Sequence, residues 1–107
     1  MTDQNKIQEL QMLEQNLQNL LMQKQAFQIE LSETNAALRE IEKSGDEVFK
    51  IIGNIMIQTE KPKIINELKE KQKILDMRTN SLEKQESEMT SQLEGLRDEV
   101  MKTMKKK

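Results

Sequence analysis

The stretch Val48-Phe49-Lys50-Ile51-Ile52-Gly53-Asn54-Ile55-Met56-Ile57-Gln58-Thr59 decides how the rest of the chain is read. Two β-branched, apolar runs flank a Gly-Asn pair, and a two-residue loop containing Gly suits a β-hairpin. The pattern predicts a hairpin over residues 48–59. A lone two-stranded hairpin is marginal in water and leaves both edges open to other strands. The hairpin therefore predicts that copies from several subunits join into one sheet or barrel, making the chain an obligate oligomer. The residues expected in that interface are Val48, Phe49, Ile51, Ile52, Ile55, Met56 and Ile57.

On either side the composition changes to that of helix. Residues 4–43 contain no Gly or Pro and are rich in Gln, Leu and Glu, which are good helix formers. Their apolar residues follow a heptad, with Leu10, Leu17, Lys24, Leu31 and Leu38 at a, and Leu13, Leu20, Phe27, Thr34 and Ile41 at d. Only Lys24 and Thr34 break that seam, so the period predicts a coiled coil. Ser44-Gly45 follows the last seam residue, and Gly is the usual residue just past a helix end. A second heptad runs through residues 62–105. It places Leu68, Leu75, Leu82, Met89 and Leu96 at d, and Ile65, Gln72, Thr79, Glu86, Leu93 and Val100 at a. Pro62 falls where the first helical residue would be, where a missing N–H costs nothing.

The two heptads fit each other. Folding the chain about Gly53 sets Ile41 against Ile65, Leu38 against Leu68, Leu31 against Leu75, Leu17 against Met89, Leu13 against Leu93 and Leu10 against Leu96. Every a position then meets a d position, as an antiparallel pair requires. Thr34 meets Gln72, Phe27 meets Thr79 as core, and Lys24 lies one layer from Glu86. Lys24 and Glu86 read either as a substrate contact or, preferably, as seam polarity that disfavours slipped pairings. The expected fold is mainly α: a single domain over residues 1–107, an antiparallel two-helix coiled coil about 60 Å long from about 40 residues per helix, with a central β-hairpin joining an intersubunit β-barrel.

Composition closes off other classes. Of the 107 residues, 35% are hydrophobic and 2% aromatic, too few for a ball-shaped core. The chain has neither Cys nor His, which removes thiol nucleophiles, disulfides, the usual zinc ligands and the commonest general base. The carboxylate pairs Asp46-Glu47 and Glu83-Glu86 have no expected pocket around them and read as solvated faces. No catalytic residue, cofactor or metal is expected. No apolar run is long enough to span a bilayer, and the start MTDQNKIQEL lacks the apolar stretch of a signal peptide, so the chain is expected to be cytoplasmic and free of membrane. A net charge of −2 gives no general attraction to nucleic acid.

Helix, central hairpin and second helix, with the run Glu47-Val48-Phe49-Lys50-Ile51-Ile52-Gly53-Asn54-Ile55-Met56-Ile57, resemble the prefoldins over almost the whole chain. One hairpin rather than two resembles the beta class, and the bare two-helix length resembles the archaeal form. The resemblance implies an ATP-independent chaperone subunit, a holdase, working in a hexamer of two alpha and four beta subunits whose hairpins form barrels. It implies that the coiled-coil tips bind unfolded proteins and deliver them to a group II chaperonin. The tips would be the two chain ends.

The residues at those ends suit such a role. Ile7, Met12, Met101 and Met104 lie off the seam, and Met adapts to many partners. With Leu10, Leu13, Leu96 and Val100 they make the expected binding set for unfolded protein. The outermost layers, Lys6 against Val100 and Asp3 against Thr103, are poor seam pairs, so the helices are expected to fray there. Gly95 weakens the second helix nearby. Lys102, Lys105, Lys106 and Lys107 complement the helix dipole, or, on the resemblance, contact an acidic patch of a chaperonin. The alternative function is a structural coiled-coil adaptor tethering specific protein partners.

Overall fold

A computed structural model of the chain describes residues 2–105, with side chains described for residues 4–104. Four elements follow one another: helix α1 (Thr2–Lys43), strand β1 (Glu47–Ile52), strand β2 (Ile55–Glu60) and helix α2 (Lys61–Lys105). The fold class is the expected one, two long helices joined by an antiparallel β-hairpin.

The hairpin is closed by Gly53-Asn54. Gly53 takes φ 61°, a region that L side chains avoid, and Asn54 does not. This is the arrangement of a type II′ turn, whose backbone twist matches that of the strands it joins. The register pairs Val48 with Thr59, Phe49 with Gln58, Lys50 with Ile57, Ile51 with Met56 and Ile52 with Ile55.

The end of α1 differs from the expected glycine cap. Gly45 does not enter the left-handed region. Instead the backbone N–H of Ser44 donates to the carbonyl of Ile41 at 3.3 Å, and the Ser44 hydroxyl donates to the same oxygen at 2.8 Å. One polar side chain thus satisfies an orphan carbonyl of the last turn. Lys61 then donates from Nζ to the Ser44 carbonyl at 2.9 Å, tying the end of α1 to the start of α2. Pro62 is the second residue of α2, still in the first turn, where it removes no helical hydrogen bond.

The chain divides into two compact units. The hairpin unit runs from Phe27 to Arg78. The chain-end unit takes the stretch up to Ala26 and the stretch from Thr79. In both, the heptads are visible as burial: every a and d position from Leu10 to Ile41 and from Ile65 to Val100 is buried or half-buried. The best-covered apolar side chains are Leu38, Val48 and Leu75 in the hairpin unit and Leu20, Leu82 and Leu93 in the chain-end unit. No described large side chain is less than 2% exposed. Two helices can offer one layer of contact, and a single layer cannot surround a side chain.

Cross-helix polar contacts fix the antiparallel direction in each unit. In the hairpin unit, Lys71 pairs with Glu30 at 3.2 Å, and Gln72 Nε2 donates to Asn35 Oδ1 at 2.6 Å. In the chain-end unit, Lys6 pairs with Glu99 at 3.4 Å, Arg97 with Glu14 at 3.3 Å, and Lys24 with Glu86 at 3.0 Å. The expected meeting of Thr34 with Gln72 is displaced by one residue. Thr34 sends its hydroxyl back to the Glu30 carbonyl at 2.8 Å, a bond always within reach on a helix, which frees Gln72 for Asn35.

Candidate functional site

Two surfaces carry exposed apolar side chains in quantity. The first is the hairpin. Its register puts Phe49, Ile51, Met56 and Gln58 on one face, and Val48, Lys50, Ile52, Ile55, Ile57 and Thr59 on the other. The two faces are treated differently by the chain's own helices. Val48 is 8% exposed, and Lys50 reaches Glu67 of α2 at 3.0 Å, so this face is partly covered at its base. Toward the turn the cover ends, and Ile52 and Ile55 are exposed. The opposite face is open, with Ile51 69% exposed. The seven hairpin residues therefore separate: Val48 is packed inside its own chain, whereas Phe49, Ile51, Ile52, Ile55, Met56 and Ile57 are available. The sheet has only two strands, so each strand keeps one unpaired edge. A ribbon apolar on both faces is a surface that demands a partner.

The second surface belongs to the chain-end unit. Ile7, Met12, Met101 and Met104 are exposed, whereas Leu10, Leu13, Leu96 and Val100 are half-buried seam residues. The set predicted from sequence thus divides into four available side chains and four that hold the helices together. The helical backbone spans both of the outermost layers, since α1 starts at Thr2 and α2 runs to Lys105, and the Asp3 side chain lies outside the described residues. Lys6, half-buried at its seam position, reaches Glu99 with its ammonium at 3.4 Å. Gly95 lies within continuous helix with open space around it. Lys102 is exposed, Lys105 is the last residue of α2, and Lys106 and Lys107 lie outside the described residues.

Sequence reasoning missed Leu21 and Met22, both exposed in the chain-end unit, and Ile29, Ile74 and Met77 in the hairpin unit. The available signal was an apolar residue at a position other than a or d. It also missed a groove of about 380 Å³ in the chain-end unit, lined by Gln11, Glu14, Gln15, Leu17, Gln18, Leu21 and Leu93.

The polar seam has one concentrated feature. The Lys24 ammonium lies 3.0 Å from Glu86 and 3.8 Å from Glu83, with its side chain 19% exposed. The contact is direct, closer than the one-layer offset expected. A half-buried ion pair of this kind stabilises little in total, but it penalises any slip that separates its members. In the hairpin unit, Phe27 is half-buried with the Arg78 guanidinium 5.9 Å from its ring centre. No group of three or more metal-ligating side chains comes together among the described residues, and no described helix is long and apolar enough to cross a membrane.

Comparison with known proteins places this geometry. Residues 4–107 match the sequence family described as prefoldin subunit. The chain is 37% identical over 99 residues to a prefoldin subunit beta of Thermococcus onnurineus, covering 91% of this chain and 85% of that protein. It is 34% identical over 103 residues to a prefoldin subunit beta of Methanothrix thermoacetophila, covering 94% and 86%. The crystal structure of the prefoldin beta subunit from Thermococcus strain KS-1 matches with a TM-score of 0.87 at 36% identity, covering 95% of this chain and 91% of that one.

Proposed function

The chain belongs to the prefoldin subunit family, and from that premise we propose that it is the beta-type subunit of an ATP-independent holdase of the cytoplasm, with no catalytic role. Its hairpin joins those of neighbouring subunits, an alpha-type partner among them, into a shared β-barrel, in a hexamer of two alpha and four beta chains. Its chain-end unit binds unfolded polypeptide through Ile7, Met12, Met101 and Met104 and passes it to a group II chaperonin, with Lys102 and the lysines after it meeting the chaperonin's acidic groups. Residues 1–107 act as one functional module.

The observation that carries this reading is the double exposure of the hairpin. Ile51 and Met56 on one face, and Ile52 and Ile55 on the other, are all more than half exposed. A subunit that presents these to water is unfinished, and assembly finishes it. Assembly then brings several chain-end units to one client. Each contact is weak, and multivalency makes the hold strong. The test is client breadth. The subunit, co-assembled with an alpha-type partner and given no nucleotide, should delay the aggregation of several unrelated denatured proteins. Binding confined to one partner, with no effect on unrelated clients, would contradict the holdase and favour an adaptor.

A further inference from the structure

We propose that the groove of the chain-end unit is a charge-blind seat for the backbone of an extended apolar client segment, with a leucine floor and a glutamine rim. The inference rests on the holdase reading and names what that surface takes. The floor is Leu17, Leu21 and Leu93. Leu21, off the seam, is 41% exposed and supplies the groove's accessible apolar surface, whereas Leu17 is half-buried and Leu93 buried. The rim is Gln11, Gln15 and Gln18, with Glu14 beside them. Glu14 is paired with Arg97 at 3.3 Å, which offsets the one formal charge of the rim.

Glutamine is suited to this place by its chemistry. Its amide both donates and accepts, as the peptide group does. A client segment that lays apolar side chains on the leucines must keep its own N–H and C=O groups bonded as water leaves. Amides can meet both, whatever the client's sequence. The composition follows the same division. Residues 4–28 hold eight Gln and four charged residues, whereas residues 83–105 of the opposite helix hold ten charged residues and two Gln. Recognition of one fixed partner would draw on the charged helix, because charge pairing confers specificity. A second copy of the chain fits poorly. Seven lining residues fall far short of the roughly 20–30 a side that a stable protein interface uses, but they match a short peptide segment.

The experiment uses the assembled oligomer and two fluorescent peptides that share the same apolar residues, one with only Lys and the other with only Glu as its charged residues. Anisotropy titrations are run at low and high salt on wild type, on Leu21→Ser and on the double variant Gln15→Glu/Gln18→Glu. Circular dichroism melting and native mass verify that each variant is folded and assembled. Wild type should bind both peptides with affinities within about threefold and little salt dependence. Leu21→Ser should weaken both by about fivefold. The double variant should favour the basic peptide over the acidic one by about tenfold at low salt, and the preference should collapse at high salt. Either variant behaving as wild type overturns the seat while leaving the holdase reading in place. So does a fall in native mass on Leu21→Ser, which would give the groove to a second copy. Wild-type oligomer that binds neither peptide and delays no aggregation overturns the holdase reading, and the seat with it.

Discussion

The hairpin unit and the chain-end unit use apolar residues in opposite ways. In the hairpin they are β-branched and stiff, mainly Ile, and are set in a fixed register by backbone hydrogen bonds. In the chain-end unit the exposed ones are mainly Met, unbranched and adaptable, on helices whose backbone is already satisfied. A rigid apolar ribbon with open edges suits one partner of matching geometry. Scattered flexible side chains beside a neutral amide rim suit many partners held briefly. The difference lies in side-chain entropy and backbone satisfaction more than in hydrophobicity.

The largest expected effect comes from breaking the ribbon. Ile51→Asp or Ile55→Asp places a carboxylate where assembly would bury it unpaired, and the native mass should fall to that of subassemblies while the far-ultraviolet helix signal remains. Analytical ultracentrifugation checks this, and a variant that still sediments as the full oligomer would remove the hairpin from the interface.

A second expectation concerns register. Lys24→Ala leaves Glu86, 25% exposed, without its nearest cation, and should cost about 2 kcal/mol by urea unfolding, between the values for exposed and fully buried pairs. The double variant Lys24→Leu/Glu86→Leu should recover that stability, because it removes both charges and fills the seam. Val48 then separates packing from assembly. Buried within its own chain, it should cost about 1.5 kcal/mol as Val48→Ala with assembly retained, whereas Ile51→Ala acts on assembly first. Smallest and opposite in sign, Gly95→Ala should raise the stability of the chain-end unit by about 1 kcal/mol, because a Cβ there meets no atom within 4 Å.

The heptads and the hairpin were legible in the sequence because each follows a period, one of alternating three and four residues and one of two. Periods assign residues to faces. They do not say which face of the hairpin turns toward its own helices, so Val48 and Ile51 read alike although one is buried and the other open. Nor do they register local competition for hydrogen bonds. Ser44 closing α1 in place of Gly45, and Thr34 turning back to Glu30, are choices among nearby acceptors that spacing does not rank. At Lys6 the spacing shows a charge at a seam position and does not show that its ammonium finds Glu99. Leu21 and the rim glutamines were overlooked for a related reason: they sit off the seam, where the heptad carries no expectation.

The central claim is that assembly and client holding reside in different units of one chain. Deleting residues 1–10 and 98–107 together, in the co-assembled oligomer, tests it most directly. Native mass should be unchanged, and suppression of client aggregation should fall sharply, leaving only what the groove at Leu21, which the deletion spares, can hold. Full holding activity in the truncated oligomer would contradict the account.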